Sequence, residues 1–142
     1  MKELFDKVCA DCSRNVTKTY STSFSLATRM LSKNIRQDIY NIYGFVRFAD
    51  EIVDTFHNYD KEILLNRFID ELEYSLKNDI SLNPILNSFQ ITVKKYNIDK
   101  HLIDSFLSSM RLDLEKKEYS NYEDYKSYIS VSYTHLRAHE TW

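Results

Sequence analysis

From Lys33 to about Asp54 the apolar residues recur in alternating steps of four and three. Ile35, Ile39, Ile42, Val46, Ala49 and Val53 therefore share one face of a continuous predicted helix. A second stripe runs one residue out of register: Arg36, Tyr40, Tyr43, Arg47, Asp50 and Asp54. One residue is about 100° of helix, so the polar stripe is expected to border the apolar one, at the edge of a core.

The same periodicity organises the rest of the chain. Leu4, Phe5, Val8, Cys12 and Val16 predict a first helix from Glu3 to about Thr19. Ser21 to Ser23 interrupts it, and Phe24, Leu26, Ala27, Met30 and Leu31 form a short second helix. Ser32 is placed to cap the long third helix, and Asp60 to cap a fourth with Leu65, Phe68, Ile69, Leu72 and Leu76 buried. Asn83-Pro84 starts a fifth, which buries Ile85, Leu86, Phe89, Val93 and Tyr96. Asp99 caps a sixth, whose apolar face is Leu102, Ile103, Phe106, Leu107, Met110 and Leu114. Ser120-Asn121-Tyr122-Glu123 reads as a capping box for a seventh.

Composition sharpens the picture. One glycine and one proline in 142 residues fall far below the usual ~7% and ~5%. Hairpins and sheet turns need both residues, so an all-α fold is expected. The formal charge of −2 gives no reason to expect a nucleic-acid partner. No apolar run approaches a membrane span and Met1 to Asp11 lacks a signal-peptide core, which leads to the expectation of a cytoplasmic protein. Cys9 and Cys12 lie in a helical pattern with no preceding strand, so they are read as helix-face thiols rather than a redox or zinc pair.

The candidate chemistry sits on the polar stripe of the third helix. Asp50 and Asp54 are one turn apart, with Cβ atoms roughly 5–6 Å apart. Beside apolar residues such a pair cannot hold two charges cheaply, and a divalent cation would relieve it. Magnesium takes hard oxygen ligands and keeps positions open for water and phosphate oxygens. Arg47, one turn earlier, has the fork that grips a phosphate. The competing interpretation is a solvated acidic face, of the kind Asp70 and Glu73 suggest, with Arg47, Asp50 and Asp54 as the ion-pair seam of a non-catalytic helical interaction module. A carboxylate-bridged di-metal bundle would need Glu-x-x-His pairs, and neither His57 nor His101 has a glutamate three residues earlier.

The surroundings favour the metal. Tyr20-Ser21-Thr22-Ser23-Phe24 followed by Tyr43-x-x-x-Arg47-x-x-Asp50-x-x-x-Asp54 closely resembles the first half of the squalene/phytoene synthase family, over about residues 8 to 130. The resemblance implies the N-terminal part of an isoprenoid-synthase-type helical bundle. It implies a prenyltransferase that condenses two farnesyl or geranylgeranyl diphosphates head to head with Mg²⁺, and with NADPH if the product is squalene. It also implies peripheral membrane contact through a lipophilic product. Carried onto this chain, Tyr43, Arg47, Asp50 and Asp54 are catalytic, Asp50 and Asp54 hold the metal, and Ser21, Ser23, Phe24, Tyr43, Arg47 and Tyr128 bind substrate. Glu51 points about 100° away from Asp50 and is not expected to be a ligand. Met110-Arg111-Leu112-Asp113-Leu114 with Tyr119 resembles a later stretch of the family. Asp113 is read there as a structural group bound to a neighbouring lysine or helix end, in preference to a cavity-lining one.

After Ser130 the family's small-residue stretch is missing. Residues 131–142 resemble a translated frame of a transposase sequencing adapter, so the native portion is expected to be 1–130 and the tail non-native. The family's second aspartate-rich motif has no counterpart here, and the fragment alone is expected to be inactive.

Overall fold

The computed structural model describes residues 1–119 and is all-α. The predicted seventh helix, Tyr128 and the 131–142 tail lie outside the described residues. Six helices follow in order: α1 (Lys2–Tyr20), α2 (Thr22–Arg29), α3 (Lys33–Asp54), α4 (Lys61–Asn78), α5 (Pro84–Tyr96) and α6 (Lys100–Tyr119). The caps are where local chemistry puts them. Ser32 Oγ accepts from Asn34 N–H, Asp60 Oδ1 from Ile63 N–H, Asn83 Oδ1 from Ile85 and Leu86 N–H, and Asp99 Oδ1 from His101 N–H. No described helix is long and apolar enough to cross a membrane.

α3 is the axle, packed against all five other helices. Among its buried side chains, Phe45 stacks on Phe89 at 3.9 Å between centroids and meets Phe68 and Phe106 at 5.6 and 5.5 Å. Ala49, Ile52, Leu65, Leu72, Ile85, Leu86, Ile103 and Leu107 complete this core.

The buried face of α3 differs from the expected stripe. Ile35 is exposed and Ile39, Ile42 and Val46 are half-buried, while Asp38, Tyr40, Asn41, Gly44, Phe45 and Ile52 are buried beside Ala49 and Val53. Polar partners account for the shift. Asp38 accepts from Thr92 Oγ1 (3.2 Å), Lys95 Nζ (2.7 Å) and Tyr96 Oη (2.6 Å), and Asn41 donates to Thr92 (3.0 Å). Gln37 joins the network to α1 through Asn41 Oδ1 and the Ala10 carbonyl. A buried polar side chain is tolerated when so satisfied.

α1 is also rotated from its apolar periodicity. Leu4 and Val8 are exposed, and the helix buries Cys9, Ser13 and Thr17. These small side chains let it approach α3 at Gly44, where an added Cβ would stand 3.4 Å from Ser13 Oγ. In α2 Leu26 is exposed, as are Met30 and Leu31 just after it, and the buried positions are Ser25 and Thr28. Leu102 of α6 and Tyr96 of α5 are likewise exposed, against expectation. Cys9 is buried and Cys12 half-buried on α1, both as free thiols, and burial pushes the Cys9 thiol up from its ordinary pKa.

Candidate active site on the third helix

The stripe Tyr43, Arg47, Asp50, Asp54 does not border the core face. At about 100° per residue Arg47 falls nearly opposite Phe45. It is shielded there for another reason: the end of α1 and the start of α2 cover it. α1 stops at Tyr20 because Ser21 is extended (φ −146°, ψ 95°). Ser21 then caps α2, its Oγ accepting from Phe24 N–H at 3.1 Å. Thr28 Oγ1 bonds back to the Phe24 carbonyl at 2.8 Å, tying α2 together from the other end.

This corner brings four side chains to one place. Phe24 stacks on Tyr43, with centroids 4.9 Å apart and planes 25° off parallel. The Tyr20 ring lies under the Arg47 guanidinium, 5.1 Å from centroid to Cζ. Arg47 Nη2 donates to Glu51 Oε1 at 2.7 Å, and Arg47 Nε is buried with no hydrogen-bond partner among the described residues. Arg47 thus has a different direct partner from the Arg47–Asp50–Asp54 seam of the interaction-module reading. Tyr20 was missed as a site residue. Its signal was its place, an aromatic immediately before the serine-rich break.

Asp50 lies one turn further along, half-buried. Burial pushes its carboxyl above the usual aspartate range. Arg47 pulls it down, and the negative charges of Asp54, Asp113 and Glu51 push it up again. Asp113 therefore faces the site electrostatically, although it also stands 3.9 Å from Lys116, the neighbouring-lysine role expected of it. Asp54, the last residue of α3, is exposed. Ser21 is half-buried and Ser23 exposed at the same corner. Among the described residues, no three His, Cys, Asp or Glu side chains stand together as a ready-made metal cage.

The geometry thus gathers along α3 an aromatic pair shared with α2, an arginine whose Nε–H is unused among the described residues, and a carboxylate whose charge is disfavoured. The squalene/phytoene synthase family model matches residues 17–134, spanning every one of these groups. The chain belongs to the squalene/phytoene synthase family. Among curated relatives of this family, phytoene synthase 1, chloroplastic, of Zea mays is 27% identical over 129 residues, covering 90% of this chain and 30% of the relative. The tomato (Solanum lycopersicum) phytoene synthase 1 is 26% identical over 125 residues, 87% of this chain and 29% of its own length. Phytoene synthase of Rhodobacter capsulatus is 27% identical over 116 residues, 81% of this chain and 34% of that protein. The chain thus spans about a third or less of the length of these family members.

Proposed function

We propose that this chain is the N-terminal part of a prenyltransferase that joins two isoprenoid diphosphates head to head into a squalene- or phytoene-type hydrocarbon. One observation carries the reading most directly. Asp50 is a half-buried carboxylate whose charge is opposed by burial and by three neighbouring acids, and a bound cation relieves that opposition.

Asp50 and Asp54, on successive turns, supply the hard oxygen donors that Mg²⁺ takes, leaving positions for diphosphate oxygens. Bound there, Mg²⁺ supplies charge neutralisation at the leaving diphosphate. The protein's own groups do the rest. Arg47 grips phosphate oxygens through the edge its Glu51 contact leaves open. Ser21 and Ser23 donate hydroxyl hydrogen bonds to the same diphosphate. Tyr43 and Phe24 present aromatic faces to the allylic cation. Apolar helix surfaces wrap the prenyl chains and exclude the water that would quench the cation, and Tyr128 is carried over as a further substrate-binding residue. With two aspartates as its metal ligands, the chain alone binds diphosphate but does not turn it over. Its native portion in this reading is 1–130, followed by the non-native 131–142.

The relatives are phytoene synthases by name, which favours a phytoene-type product. NADPH enters only for squalene. We place the protein in the cytoplasm with peripheral membrane contact. Residues 12–37 carry Arg14, Lys18, Arg29, Lys33 and Arg36 and no acid, and Leu26, Met30 and Leu31 are exposed in the same segment, a combination suited to an anionic lipid surface.

The test is product analysis. The full-length protein, given farnesyl or geranylgeranyl diphosphate with Mg²⁺, releases pyrophosphate and a hydrocarbon of twice the substrate's chain length, and Asp50→Asn abolishes both. A linear, longer allylic diphosphate, as head-to-tail condensation gives, overturns the proposal. So does an open reading frame that continues past residue 130 without a second D-x-x-x-D helix.

A further inference from the structure

The contacts around Arg47 point to a second layer of the site. An arginine on the rim of a helix has several rotamers, and holding one costs side-chain entropy. Here three features restrict it. Glu51 Oε1 takes Nη2 at 2.7 Å. The guanidinium carbon lies over the Tyr20 ring, 5.1 Å from its centroid. Nε is enclosed yet bonded to nothing among the described residues. An ion pair fixes one nitrogen but leaves the plane free to turn about that contact. A ring beneath the cation restricts that freedom, because the guanidinium is drawn to the negative face of the aromatic.

We propose that Tyr20 is a positioning residue for diphosphate recognition: its ring holds the Arg47 guanidinium in place, so that the donors its Glu51 contact leaves open are kept ready for a phosphate oxygen. The proposal rests on the functional reading above and adds a residue to it. Tyr20 touches Arg47 and not the ligand. The aromatic face is the working part and the hydroxyl is not needed.

The test is a double-mutant cycle on the full-length protein, titrating inorganic pyrophosphate in the presence of Mg²⁺ by calorimetry. Tyr20→Leu weakens binding about threefold to fivefold, the range of a partly exposed cation–π contact, and Tyr20→Phe binds like wild type. Replacing Tyr20 by pentafluorophenylalanine keeps the ring's shape but removes its negative face, and it weakens binding as Tyr20→Leu does. In an Arg47→Gln background none of these changes has further effect. Should Tyr20→Leu fail to fold, the fluorinated ring, which packs like the native one, decides the matter by itself. The proposal is overturned if the fluorinated protein binds like wild type, or if Tyr20→Leu costs as much without Arg47 as with it. A wild-type protein that binds no magnesium pyrophosphate overturns the functional reading as well, whereas wild-type binding without Tyr20–Arg47 coupling overturns this inference alone.

Discussion

Replacing Asp50 by asparagine should make the fold more stable while removing its affinity for magnesium pyrophosphate. Asp50 stands near Asp54, Asp113 and Glu51, with Arg47 as the opposing charge. The direct ion pair of Arg47 is with Glu51, so the relief that Arg47 gives Asp50 is incomplete. Asp50 and Asp54 are one turn apart, and a like-charge pair at roughly 6 Å costs about 0.7 kcal/mol in bulk-water dielectric and about 2.8 kcal/mol at an effective constant of 20. Asp54 is exposed, which places that pair toward the lower figure. After the offset from Arg47, removing the Asp50 charge stabilises the fold by about 1 kcal/mol, or about 4 °C for a domain of this size. The pH dependence gives the sign independently. The folded-state pKa of Asp50 is raised, so the folded chain holds more protons than the unfolded one between about pH 3.9 and the raised value. Wild-type stability therefore falls as pH rises through that window. The advantage of Asp50→Asn is full at neutral pH and shrinks as pH drops into the carboxylate range. Thermal melts followed by circular dichroism, at neutral and acid pH, with and without Mg²⁺, measure all of this. Added Mg²⁺ with pyrophosphate should raise the melting temperature of wild type and leave Asp50→Asn unmoved. An asparagine variant less stable than wild type at neutral pH would refute the electrostatic argument. Equal stabilisation of both proteins by the metal would refute the assignment of Asp50 as its ligand.

Other outcomes follow from the same structure. Asp38→Asn should cost about 1–3 kcal/mol in urea denaturation, because it strips a charged acceptor from a buried network. Burial raises the Asp38 carboxyl, but its hydrogen bonds from Lys95, Tyr96 and Thr92 outweigh that and hold it below the usual range. Its contribution is thus present above about pH 3.9 and lost as pH falls through the depressed value, so variant and wild type converge in acid. Gly44→Ala should be neutral or stabilising by up to about 1 kcal/mol, since the new Cβ meets its neighbours at 3.4–3.5 Å, an ordinary contact; a large loss in the melting temperature would count against the packing described. Alkylation by iodoacetamide, followed by mass spectrometry, should modify Cys12 well before Cys9, whose thiol is buried and held protonated.

Element positions were legible in the sequence because caps are local. Ser32, Asp60, Asn83 and Asp99 each bond to backbone N–H groups two or three residues on, and nothing distant can change that. Faces were less legible because burial is decided by partners. The Asp38 and Asn41 positions read as polar, yet both are buried, since α5 delivers Thr92, Lys95 and Tyr96 to meet them. Ile35 reads as apolar, yet it lies past the edge of the packed region. The candidate site was legible as a stripe, but its shielding was not. The helical period places Arg47 and Asp50 away from Phe45, and only the turn at Ser21 brings Tyr20 and Phe24 over that side of α3.

The most direct measurement is a calorimetric titration of farnesyl or geranylgeranyl diphosphate into the full-length protein, with Mg²⁺ and again with the metal chelated, for wild type, Asp50→Asn, Asp54→Asn and Arg47→Gln. The account predicts tight binding to wild type only with Mg²⁺. It predicts loss of the metal-dependent part in both aspartate variants, and weaker binding at every metal concentration in Arg47→Gln. Prenyl diphosphate affinity that is unchanged by chelation, or by removing both aspartates, would contradict it.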